Sequence, residues 1–266
     1  MKTMEQSKMQ DRAFSLENKQ VIVTGAAQGI GRAIAAAIVQ MGGRVVAVDL
    51  NADALVALRE ELGPERCATV AGSVADPDVA QQAVDAGIAA FGGVDGLVNN
   101  AGITRTAMID KMSLADWQQV IDVHLSGAFH FLQALGRHLL ARAKAGEKIA
   151  GSIVNISSDA GRRGTIGQIN YGAAKAGVLG LTMCAAREWA RYDIRVNTVG
   201  FGVVETPMTE TIRGEKFRDT YLQQIPLGRW GEPQEVARPV CFLLSDAASY
   251  VTGQHLSANG GYTIGL

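Results

Sequence analysis

A chain of 266 residues with 47% hydrophobic side chains has enough apolar material to bury a large core. Its net charge of -1 comes from interspersed acids and bases, which excludes the basic stripe of a nucleic-acid surface. Cys67, Cys184 and Cys241 are far apart, giving neither a CxxC metal site nor a disulfide framework, so no metal is expected and a reducing, cytoplasmic setting fits.

Residues 1–17 contain Glu5, Asp11 and Glu17, lack the apolar h-region of a signal peptide, and read as a flexible extension ahead of one domain over 18–266. No apolar stretch reaches the length of a membrane span. From Gln20 onward, short β-branched runs alternate with longer Ala-rich amphipathic runs. Strands are predicted over 20–24, 44–49, 67–71, 94–98, 151–157, 194–199 and 254–258, and helices over 30–42, 52–62, 76–91, 113–142, 170–191 and 233–245. This is the α/β pattern of a parallel sheet covered by helices on both faces. Residues 200–225 break the rhythm and form a candidate substrate lid, since long irregular segments after the strands of such sheets are where ligands sit. Pro239, inside the last predicted helix, is expected to kink or split it.

The first strand, Val21-Ile22-Val23-Thr24, runs into Gly25, Gly29 and Gly31 and then into a helix. Glycines there let the backbone turn tightly and approach a pyrophosphate, whose charge a helix N-terminus stabilises. The second strand ends on Asp49, with Leu50 after it and no basic residue nearby. A carboxylate there accepts hydrogen bonds from both ribose hydroxyls of NAD and repels the 2′-phosphate of NADP. Two like charges about 4 Å apart cost about 1 to 4 kcal/mol, so NAD(H) is expected to win over NADP(H) by roughly tenfold or more. The competing reading is that Asp49 only caps the next helix.

Tyr171 precedes Lys175 by four residues, so in a helix both lie on one face. A phenol with a pKa near 10 needs a fixed positive charge to serve as a base. Lowering that pKa by about three units takes about 4 kcal/mol, within reach of a close lysine and a cationic nicotinamide. Taken alone, such a pair is most often a solvated helix face.

With Ser158 thirteen residues before Tyr171, Asn99-Asn100-Ala101-Gly102, Thr24 to Gly31, and Val196-Asn197 leading to Thr206, the chain resembles the short-chain dehydrogenase/reductase family over about residues 18–262. The resemblance implies a single Rossmann-type, doubly wound domain with a seven-stranded parallel sheet, commonly assembled as a homotetramer or dimer. It implies that Tyr171 is the general acid/base, that Lys175 depresses its pKa and holds the nicotinamide ribose, and that Ser158 polarises the carbonyl, with Ser157 the poorer fit by spacing. Cofactor contacts are expected from Gly25, Gln28, Gly29, Ile30, Gly31, Asp49, Leu50, Ser73, Val74, Asn99, Ala101, Gly102, Tyr171, Lys175, Val204 and Thr206. Within the family, Gly167 to Tyr171, Arg229 to Pro233 and Ser249 to Gln254 look most like the 3-oxoacyl thioester reductases. The expected reaction is therefore interconversion of a secondary alcohol and a ketone, with a 3-oxoacyl thioester or similar small molecule as substrate. The alternatives are a dehydrogenase of cyclic alcohols, sugars or steroids, and a non-catalytic NAD-binding protein.

The pattern breaks at several places. The family's asparagine on the helix after the fourth strand is His124, expected either to join the proton path, with a pKa near 6.5 that makes it pH-sensitive, or simply to pack. Phe201 stands in place of a proline and adds a large ring to the pocket wall. Ser73 replaces an acid that contacts the adenine. Tyr192 stands where carrier-protein reductases often have an arginine, which leaves acyl carrier protein an uncertain partner. Met183, Trp189 and the small residues from Gly172 to Ala186 read as close helix packing, here across a subunit interface.

Overall fold

The structure, a computed structural model, describes residues 13–265. Seven parallel strands form one sheet: β1 (Gln20–Thr24), β2 (Arg44–Asp49), β3 (Cys67–Ala71), β4 (Gly96–Asn99), β5 (Gly151–Ser158), β6 (Ile194–Phe201) and β7 (His255–Ala258), in the order β3-β2-β1-β4-β5-β6-β7. In the five inner strands the runs of Val, Ile and Ala are buried on both faces, as a sheet covered by helices requires, while the edge strands β3 and β7 are partly exposed. One face carries α1 (Gly29–Gln40), α2 (Ala52–Leu62) and α10 (Pro233–Leu244) over a core that includes Val21, Ile34 and Val240. The other carries α3 (Pro77–Phe91), α5 (Gly127–Lys144) and α7 (Ile169–Trp189) over Ile22, Leu97 and Leu135.

The sheet changes direction between β1 and β4, and the crevice beyond their carboxyl ends is the switch point where such folds take ligands. Thr24 locks the two strand ends together. Its hydroxyl accepts the N–H groups of Asn100 and Ala101, both at 3.0 Å, while Asn100 Nδ2 donates back to the carbonyls of Thr24 at 3.0 Å and Gly25 at 3.2 Å.

Four expectations need correction. Residues 1–12 of the expected extension lie outside the described residues; Leu16, which that expectation also placed in it, is fully buried and its N–H donates to the Met41 carbonyl at 2.9 Å. The expected helix over 113–142 is continuous over Leu114–Lys144 but not uniformly α-helical: α4 (Leu114–Ile121) passes through a π-helical stretch (Asp122–Ser126) into α5 with no break in helical backbone. Pro239 does not split α10, whose buried face of Val236, Ala237, Val240, Leu243 and Leu244 holds it to the core despite one lost N–H. The segment after β6 is not wholly irregular, since it folds into α8 (Glu210–Arg213) and α9 (Glu215–Leu222). The short helix α6 (Ala160–Arg163) follows β5 directly.

Candidate active site

A cavity of about 320 Å³ opens at the switch point, lined by every residue expected to contact cofactor or substrate except Asn99. Asn99 is turned inward: its Nδ2 donates to Asn155 Oδ1 at 2.8 Å and to the Ala128 carbonyl at 3.2 Å. Asn100, the adjacent residue, lines the cavity instead. Gln28, Gly29, Ile30, Leu50, Ser73, Val74, Ala101, Val204 and Thr206 lie on its wall as anticipated.

The glycine turn is built for close approach. A Cβ on Gly31 would lie 1.9 Å from the Gly25 carbonyl oxygen, and Gly25 itself has φ +64°. Helix α1 starts at this turn with no side-chain cap and no acid in its first turn, so its first N–H groups remain available to an anion. Asp49 does not cap α2; Asn51 does, accepting the Ala54 N–H on Oδ1 at 3.0 Å. The Asp49 carboxylate accepts Ala27 N–H at 3.0 Å and Asn51 N–H at 3.1 Å, which fixes it between the glycine turn and the end of β2. Leu50 beside it is 74% exposed and brings no charge, and Arg32 in α1 is paired with Glu61. These residues fit a dinucleotide: a turn only glycine can make, free helix N–H groups for the pyrophosphate, and a rigid acceptor for a ribose.

Ser158, Tyr171 and Lys175 come together on the opposite wall. Ser158 is the last residue of β5 and lines the cavity together with Tyr171, whereas the Ser157 hydroxyl is engaged by the Lys175 backbone carbonyl, to which it donates at 2.9 Å. Asn170, fully buried, takes the Tyr171 N–H on Oδ1 at 2.8 Å and donates to the carbonyls of Arg105 and Asp116, pinning the start of α7. Lys175 Nζ donates to the Ile156 carbonyl at 2.7 Å and lies 5.7 Å from the centre of the Tyr171 ring.

The electrostatics of these groups differ from expectation. Burial pushes the Tyr171 phenol up, only partly offset by the nearby Ser158 hydroxyl, and burial pushes Lys175 down to about 7.

His124 sits in the π-helical stretch, 4% exposed, with its ring edge-on to Tyr171 at 5.0 Å between centroids. Its Nε2 meets the backbone of Ile103, 2.7 Å from the carbonyl oxygen, and Nδ1 is buried with no protein partner. Burial, and then the charge of Lys175, push its pKa down to about 3, so the expected titration near 6.5 is absent. Gly102 makes room for it: a Cβ there would lie 2.3 Å from His124 Cε1. Phe201 ends β6 and lines the cavity as anticipated, at 5% exposure. The sequence reading missed Ile103, Ile156 and Met208, which also line the cavity. The first two act through backbone groups that a side-chain pattern does not reveal.

A parallel sheet that holds a glycine cradle at its switch point, with an acid/base group facing it, is the framework of a dinucleotide-dependent oxidoreductase. A family model described as "Enoyl-(Acyl carrier protein) reductase" matches residues 25–263. The chain is 44% identical to the 3-oxoacyl-[acyl-carrier-protein] reductase of Thermotoga maritima, over 94% of this chain and 99% of that one. Among solved structures, it is similar to a short-chain dehydrogenase/reductase (glucose/ribitol dehydrogenase) from Brucella melitensis, at TM-score 0.87, 37% identity, and coverage of 94% of this chain and 98% of that one. It is also similar to a putative 2-deoxy-D-gluconate 3-dehydrogenase from Agrobacterium tumefaciens with bound NADP, at TM-score 0.84 and 38% identity, covering 94% of this chain and 98% of that one. The chain belongs to the short-chain dehydrogenase/reductase family and is an oxidoreductase acting on CH–OH groups with a nicotinamide cofactor. No described helix is long and apolar enough to cross a membrane, and no group of residues suited to hold a metal occurs among the described residues.

Proposed function

We propose that the protein interconverts a 3-oxoacyl thioester, or a similar apolar oxo compound, and its secondary alcohol, with Tyr171 as acid/base. The observation that carries this reading is that Ser158, Tyr171 and Lys175 lie together on the wall of a cavity whose charged lining, among the described residues, is Asp49 and Lys175. A ketone oxygen placed between the two hydroxyls would be polarised by Ser158 and would take the Tyr171 proton as its carbon is reduced. A bound nicotinamide would supply or accept the hydride at its C4 and, when oxidised, add positive charge beside the phenol. Phe201, Ile103 and Met208 line the same cavity and favour an apolar substrate over a polyol. Reduction of an enoyl group needs its proton on carbon, a task the paired hydroxyls fit less well.

The cofactor preferred in this reading is NAD(H), supported by the fixed Asp49 carboxylate and its uncharged surroundings. His124 is proposed to serve the proton path while remaining neutral, its unpartnered Nδ1 suited to hold a water between the Tyr171–Lys175 pair and solvent. Self-association is supported by Phe129 on α5 and Met183 on α7, 44% and 53% exposed. Trp189, in contrast, packs within the chain onto Gly136.

The test is a panel of 3-oxoacyl, enoyl, cyclic-ketone, sugar and steroid substrates with NADH and NADPH, read by the absorbance of the reduced nicotinamide. Turnover of the 3-oxoacyl thioester with NADH supports the reading. Turnover of sugars alone, or of the enoyl thioester alone, contradicts it.

A further inference from the structure

Ser158 is followed by a carboxylate whose partners lie at the far end of the chain. Asp159 is 3% exposed, and both of its oxygens accept from Asn259 Nδ2 at 3.0 Å. Asn259 is itself fixed in the turn after β7: Nδ2 also reaches the Thr263 carbonyl at 3.2 Å, and Oδ1 accepts the Gly261 N–H at 3.0 Å. A buried carboxylate without partners is costly, so this pairing ties the two segments together.

The two arginines of α6 hold the same segment. Arg162 donates to Ser257 Oγ at 3.1 Å and to the Gly265 carbonyl at 2.8 Å. Arg163 donates to the Tyr262 carbonyl at 3.1 Å and lies over the Tyr262 ring at 4.3 Å. From there the contacts pass to the lid. Arg163 also donates to Gln224 Oε1 at 3.0 Å, the Tyr262 ring stacks on Tyr221 of α9 at 6.4 Å, and Leu227 N–H donates to the Gly260 carbonyl at 3.1 Å. A Cβ on Gly260 would come within 2.9 Å of Ile225, so the tail rests directly on the base of the lid.

We propose that Asp159 is a positioning residue: with Arg162 and Arg163 it latches residues 259–262 between the Ser158 turn and the lid, so that the C-terminal segment sets the position of both. The effect on turnover rests on the reading of Ser158 given above; the effect on the lid does not. The latch therefore couples the Ser158 turn to the segment after β6, whose residues 206–209 line the cavity.

The test uses the full chain and the variants Asn259→Leu and Asp159→Asn/Asn259→Asp, the second of which reverses the amide and the carboxylate. Hydrogen exchange over residues 221–227 should rise about tenfold or more in Asn259→Leu. With the 3-oxoacyl thioester, kcat should fall about tenfold while cofactor affinity stays native, and the reversed pair should recover both readouts to within about threefold. Unchanged exchange overturns the latch, and raised exchange with native kcat overturns its hold on Ser158. Ser158→Ala, measured alongside, tests the role of that hydroxyl separately. Should Asn259→Leu fail to fold, Gln224→Ala on the exposed side of the lid gives the same exchange readout.

Discussion

His124 and Lys175 are two basic side chains buried within reach of one phenol, and burial moves the titration of both below its ordinary range. The His124 ring stays neutral in the fold down to about pH 3 but titrates near 6.5 once unfolded. Between those values the unfolded chain binds the extra proton, so stability is lost as pH falls from 6.5 toward 3. His124→Asn removes this site's share of that loss, on the order of 3 kcal/mol. Urea unfolding at pH 7 and pH 4 checks it: the native protein should lose more stability than the variant, and equal losses would contradict the burial argument. The neutral ring also leaves the pH dependence of turnover between pH 5 and 8 to other groups, with Lys175 foremost, since burial brings it to about 7. Asp49 gives a second prediction at this scale. Asp49→Asn keeps an acceptor but removes the charge, and should shift the NAD-to-NADP ratio of kcat/KM toward NADP by about tenfold. A ratio that does not move would mean that the carboxylate does not select the cofactor.

At the scale of elements, the Tyr171 and Lys175 pair and the glycine turn were legible because each follows from spacing along one helix or one strand end, and Ser158 because the family resemblance implies a serine thirteen residues before Tyr171. The π-helical stretch at Asp122–Ser126 was not legible, because an apolar pattern near 3.6 residues per turn does not reveal a single widened turn. That turn carries His124 to the Tyr171 ring. Asn99 was misassigned for a related reason: neighbouring residues on a strand point to opposite faces, and which of Asn99 and Asn100 faces the cavity depends on register. Gly102→Ala tests the fit at this place. The added methyl would fall on His124 Cε1, so kcat should drop about tenfold while the glycine cradle at Gly25 to Gly31 continues to bind cofactor. Native turnover in Gly102→Ala would show that the histidine can move aside without cost.

Over the whole molecule, the parallel sheet and its two helical layers follow from an alternation visible along the sequence, while the order of the strands, and with it the switch point, comes from the structure. Nor do the ends of the domain follow from that alternation. Leu16 precedes the first strand in a segment with no periodic pattern, yet it is fully buried beside α1 and α10. Leu16→Ala should destabilise the protein by about 2 to 4 kcal/mol, read as a lower denaturation midpoint; a change near zero would restore the boundary expected at residue 18. The C-terminal segment was likewise silent in sequence, because its function lies in long-range pairs such as Asp159 with Asn259.

Central to the proposed function is the proton that Tyr171 is proposed to exchange with a substrate oxygen. The most direct measurement is kcat of Tyr171→Phe against native protein, with a 3-oxoacyl thioester and NADH, alongside cofactor affinity by fluorescence titration. The predicted result is a fall in kcat of about 10² to 10⁴-fold with cofactor affinity within about threefold of native. Turnover at the native rate in Tyr171→Phe would contradict the account.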